Sequence, residues 1–106
     1  MTEDEGKIFL SGFELEPAEK AIANNVIKSC SYKIKERAGY DYIKLSLKKS
    51  QRGKICLHRV KGTLKKGTLV LTSNAEDYNL FSAIAEVLEK LLNELVHKSR
   101  TNRQKK

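Results

Sequence analysis

No apolar run in this 106-residue chain approaches the ~20 residues that a helix needs to cross a bilayer, so no membrane partner is expected. Cysteine is scarce. Cys30 and Cys56 stand 26 residues apart, outside any CxxC pair and without a histidine at metal-binding spacing. They read as reduced core thiols. The opening "MTEDEGKIFLSG" is acidic and lacks the basic start and apolar middle of a secretory signal, so the expected location is the cytoplasm. His58 and His97 fall on different elements, and Glu76 and Asp77, being adjacent, point different ways at the start of a helix. With no nucleophile, base or metal set in view, the expectation is a protein that is no enzyme and takes no metal and no cofactor.

The most telling scarcity is local. Residues 48–67, "KKSQRGKICLHRVKGTLKKG", hold eight lysines and arginines and no acid, while the rest of the chain balances thirteen basic against thirteen acidic residues. The whole net charge of +8 can be assigned to this stretch. Self-repulsion of that kind works against a compact domain, which points to a polyanionic partner; the bland alternative is a solvated surface in which lysines guard strand edges.

Length fits one domain with a single core. The division expected is an acidic N-terminal arm over 1–6, one binding domain over 7–97 and a basic tail over 98–106, where the apolar pattern stops at "KSRTNRQKK". Residues 7–13 form a short apolar run that Gly12 interrupts, a first strand. Pro17 suits the first turn of a helix, with Glu16 and Glu19 at the positive end of its dipole. Ala18, Ile22, Val26, Cys30 and Ile34 then recur at helical spacing, widened by Ile27, until Gly39 stops the helix.

In "DYIKLSLKK", Ile43, Leu45 and Leu47 alternate with Tyr42, Lys44, Ser46 and Lys48, the period of a strand with one wet face. "QRGK" makes a turn into a third strand whose phase stays open, because Ile55 and Leu57 argue one way and Cys56 and Val60 the other; Gly62 suggests a bulge. Lys65, Lys66 and Gly67 read as a three-residue hairpin loop before a fourth strand, "TLVLTS". Asn79 caps a last helix whose core stripe is Phe81, Ile84, Leu88, Leu91 and Leu95, flanked by Ala85, Leu92 and Val96. The fold expected is α+β in the order β-α-β-β-β-α, a four-stranded, mostly antiparallel sheet with two helices packed on one face.

"GTLVLTSNAEDYNLFSAIAEVLEKL" resembles the ribosome hibernation promoting factor and ribosome-associated inhibitor family, in its short form with the N-terminal domain alone. The matching positions are Asp77, Leu80, Phe81, Ser82, Ala83, Ile84, Lys90 and Leu91, and "LEPAEKAI" is similar to the family's opening of its first helix. The resemblance implies binding to the small ribosomal subunit and its rRNA across the mRNA and tRNA channel, with inhibition of translation in resting cells. Such a protein is expected to be monomeric when free.

Lysine and arginine pair with phosphates, so the candidate RNA contacts are Lys28, Lys33, Lys35, Arg37, Lys48, Lys49, Arg52, Lys54, Arg59, Lys61, Lys65, Lys66, Lys90, Lys98, Arg100 and Arg103. Exposed tyrosines such as Tyr40 and Tyr42 would stack on bases. The alternative is a general structured-RNA module or RNA chaperone that leaves translation alone, although the chain has neither a GPxH-like loop nor a KKxAK-like helix start.

Overall fold

The computed structural model describes residues 7–104, and for residues 99–104 the backbone alone. The elements are β1 (Lys7–Ser11), α1 (Pro17–Arg37), β2 (Tyr42–Arg52), β3 (Ile55–Lys66), β4 (Leu69–Asp77) and α2 (Leu80–Gln104). The four strands form one sheet in chain order, with β1 parallel to β2 and the other pairs antiparallel. The parallel pair follows from the connection, since a chain that returns to the same end of the sheet needs a crossover such as α1.

Both hairpins are tight. Arg52 pairs with Ile55 and Lys66 with Leu69, which leaves two-residue loops, Gly53–Lys54 and Gly67–Thr68. The glycine comes first and has positive φ in each, +61° at Gly53 and +63° at Gly67, the arrangement of a type II′ turn whose twist matches that of the strands. The second loop is thus shorter than the three-residue Lys65–Gly67 reading, and both lysines belong to β3.

Register settles the phase of β3. Ile43, Leu45 and Leu47 stand beside Leu64, Gly62 and Val60, and these beside Leu71, Ser73 and Ala75. One face of the sheet is therefore apolar, and α2 packs on it over β3 and β4 while α1 packs along α2. Ile43, Leu45, Val60, Leu64, Ile84, Val87, Leu88 and Leu91 are all buried, and each contributes about 1.5–3 kcal/mol for leaving water.

Gly62 marks no bulge, since pairing runs through it unbroken on both sides. It is there because α2 comes so close that a Cβ would sit 2.5 Å from Val87 Cγ1.

The helix ends follow their sequences. At the start of α1, Glu19 reaches back to the backbone N–H of Glu16, and at its end the N–H groups of Ala38 and Gly39 both donate to Ile34 O. Asn79 caps α2 by accepting from the Ser82 N–H at 3.0 Å, and Asp77 steadies the cap by accepting from the Asn79 N–H at 2.8 Å.

Three packing expectations change. The buried row of α1 is Ala23, Ile27, Ser31 and Ile34; of the expected stripe Ile27 and Ile34 are buried and Val26 and Cys30 partly so, whereas Ala18 and Ile22 are exposed, so the helix is rotated from that stripe. At the start of α2 it is Leu80 that enters the core, with Phe81 only partly buried. The helix also continues to Gln104, beyond Lys98, where the apolar pattern ends.

Candidate nucleic-acid interface

Alternation sends every second residue of each strand to the face that no helix covers. Register aligns these residues in rows across the sheet. The first row is Lys7, Tyr42, Lys65 and Val70; the next is Phe9, Lys44, Thr63 and Thr72; then come Ser11, Ser46, Lys61 and Asn74, and finally Lys48, Arg59 and Glu76. Lys7, Lys44, Lys48, Lys61 and Arg59 are exposed and Lys65 is half-buried. Glu76 is the sole carboxylate in these rows, and it accepts from Arg59 Nε at 2.6 Å. An exposed pair of this kind adds only about 0–1 kcal/mol, so its main effect is to neutralise one of the cations.

Beyond that last row the sheet narrows. β1 ends opposite Ser46 and β4 ends opposite His58, so residues 49–57 project as a two-stranded ribbon. Arg52 and Lys54 are exposed at its tip beside exposed Ile55. The ribbon and the open face make one continuous surface whose charge is almost entirely positive.

The consecutive lysines of the basic stretch separate on folding. Lys48 and Lys65 go to the open face, whereas Lys49 and Lys66 turn to the helix side. There they tie down backbone, Lys49 Nζ donating to Glu14 O at 3.1 Å and Lys66 Nζ to Ala38 O at 2.6 Å. Lys90 lies beside β4, donating to Asn74 O at 3.0 Å and pairing with Glu86 at 3.1 Å.

Lys28, Lys33 and Arg37 are exposed on α1, on the opposite side of the sheet from the open face, and Lys35 is half-buried there. Lys98 is exposed on α2, while the side chains of Arg100 and Arg103 lie outside the described residues, as does the acidic arm 1–6. Among the described residues the candidate cations thus divide between the open face with its ribbon and the helix side, where Lys49 and Lys66 of the strands join those of α1 and α2.

Lys7 and Lys44 complete the open face, although they are not among the candidates that the sequence offers. The signal for Lys44 was its place in the alternation of β2; for Lys7 there was none, because β1 is too short to show a period. An aromatic pair shares the surface. Phe9 and Tyr42 meet edge to face with centroids 6.1 Å apart, and Lys44 Nζ lies 5.5 Å from the centre of the Tyr42 ring.

The remaining candidate groups are ordinary. Cys30 and Cys56 are free thiols, and burial pushes the Cys30 pKa above its ordinary value of 9.0, with Lys33 opposing and Glu89 reinforcing. His58 Nδ1 lies 3.0 Å from Tyr78 O at the base of the ribbon.

No protein-family model matches the sequence, and no curated protein matches it. Solved structures do share the fold. A ribosomal subunit interface protein from Coxiella burnetii superposes with a TM-score of 0.62 at 14% identity, covering 89% of this chain and 98% of that one. The N-terminal domain of Protein Y from Thermus thermophilus gives 0.51 at 22% identity, covering 83% of this chain and 90% of that domain. At the level of fold, these likenesses agree with the resemblance read from "GTLVLTSNAEDYNLFSAIAEVLEKL".

Proposed function

We propose that this chain binds the small ribosomal subunit through contacts to rRNA, lies across the mRNA and tRNA channel and inhibits translation. The observation that carries this reading is the open sheet face, where Lys7, Lys44, Lys48, Lys61 and Lys65 form a cationic field continuous with Arg52 and Lys54 on the ribbon. A phosphate backbone is the polyanion such a field fits, because each neutralised phosphate releases counterions into solution. The shared fold gives the field its context: one protein of that fold is named for the ribosomal subunit interface. Binding requires no chemistry, so the reading is of a non-enzymatic cytoplasmic protein that acts as a monomer.

The test is co-sedimentation with ribosomal subunits from its own source, followed by addition to a cell-free translation system. Neutralising about six phosphates gives a slope of log K against log salt of roughly −4 to −5, so moderate salt should release the protein. Wild-type protein should travel with small subunits and depress translation. Folded protein at saturation that leaves translation unchanged and does not compete with tRNA for the small subunit would refute the proposal. Binding to free structured RNA without any effect on translation would instead select the general RNA-binding reading.

A further inference from the structure

The first two rows of the open face differ from the others in holding rings among the cations. Phe9 sits on the edge strand, 49% exposed, although a phenylalanine gains most by burial. Tyr42, on the neighbouring strand, meets it edge to face and is itself covered by the ammonium of Lys44, so the uncovered ring surface of the pair belongs to Phe9. Lys7 and Lys65 flank Tyr42 on either side in its row, and Lys44 is beside Phe9 in the next. A half-exposed ring held by a second ring, with three lysines in the same two rows of the sheet, combines a platform for a flat apolar face with counter-charges for an anionic chain.

We infer that Phe9 is a stacking site for one unpaired base of a single-stranded RNA segment, with Lys7, Lys44 and Lys65 on the neighbouring phosphates and Tyr42 as the ring that positions Phe9. A base in a duplex has both faces covered by its neighbours, so only an unstacked nucleotide can use this surface. Stacking is sequence-tolerant, because every base has a π face, and the cations read only the backbone. The inference refines the proposed function by naming the kind of RNA that the upper part of the face takes, and it rests on that reading only for the identity of the RNA in the cell.

The test uses the full chain and three labelled RNAs at one fixed salt concentration: an eight-nucleotide oligoadenylate, an abasic ribose-phosphate strand of the same length, and a short duplex. Phe9→Leu keeps apolar volume but removes the π face, and thermal melting checks that it folds. It should weaken oligoadenylate binding about 5- to 150-fold, the range that loss of one base–aromatic stack gives, and leave the abasic strand and the duplex unchanged. Phe9→Tyr should bind all three as the wild type does. Tyr42→Leu, a second variant acting through the position of Phe9, should show a smaller loss confined to the same oligoadenylate. The site is refuted if Phe9→Leu binds oligoadenylate like wild type, if the loss is equal across the three RNAs, or if wild-type protein does not bind oligoadenylate. Failure of wild-type protein to sediment with ribosomes, with the oligoadenylate result intact, would remove the ribosome reading and leave the stacking site standing.

Discussion

The two faces of the sheet are made by the same strands, yet they share almost no chemistry. On the helix side Ile43, Leu45, Leu47, Val60, Leu64, Leu71 and Ala75 are all buried. On the open side Lys44, Lys48, Arg59 and Lys61 come from the positions in between. Since successive side chains alternate, a slip of one residue would bring the lysines under α2 and expose the leucines. The cationic face is therefore fixed by what the core demands. Gly62 shows how firmly: α2 approaches so closely that the register admits no side chain there.

This contrast can be broken from either side, and the largest effect should come from the core. Leu64→Ala should cost about 2–5 kcal/mol in a denaturant titration, while its neighbour Lys65→Gln should leave the midpoint nearly unchanged. Equal losses from the two would mean that β3 is not in the register described. Gly62→Val should destabilise by about 1–3 kcal/mol through overpacking against Val87, and wild-type stability in that variant would show that α2 does not press on the sheet.

Smaller effects sharpen the edges of the comparison. Phe81 lies partly buried at the start of α2, so Phe81→Ala should cost about 1–2 kcal/mol, well below the loss at a fully buried phenylalanine; chemical denaturation of that variant reads this directly. Cys30 should give the smallest signal. Burial raises its pKa, so it contributes stability that is fully present below its ordinary value of 9.0 and is lost as pH rises through the higher folded value. Melting of wild type and Cys30→Ala across alkaline pH should therefore converge, and a gap that widens with pH would contradict the assigned direction.

What the sequence revealed depended on whether local pattern and final burial coincide. They do in β2, where Ile43, Leu45 and Leu47 alternate cleanly and are buried, and the element order with its mostly antiparallel sheet could be read from such patterns. They do not at the start of β3. Ile55 and Leu57 lie on the ribbon that no helix covers, so apolar character there says nothing of the core, and the phase could be settled only by pairing. In α1 the buried row includes Ala23 and Ser31, residues too small or polar to stand out as core, while Ile22 is exposed and misleads.

The candidate site was blurred for a related reason. A run of basic residues reports charge but not direction, and Lys48 and Lys49, neighbours in sequence, end on opposite sides of the sheet. Period-two alternation sorts such a run better than its density. Applied to β2 it selects Lys44 and Lys48 and sets Lys49 aside for the backbone of Glu14.

The central claim is that the open face, and not the helix face, holds the rRNA. It is tested most directly by co-sedimentation with small ribosomal subunits across a salt series, using wild type, an open-face variant with Lys44, Lys48, Lys61 and Lys65 changed to Gln, and a helix-face variant with Lys28 and Lys33 changed to Gln. The open-face variant should fold normally, bind more weakly and lose about 3 from the magnitude of the salt slope, while the helix-face variant should follow wild type. A helix-face variant that loses binding while the open-face variant keeps it would contradict the account.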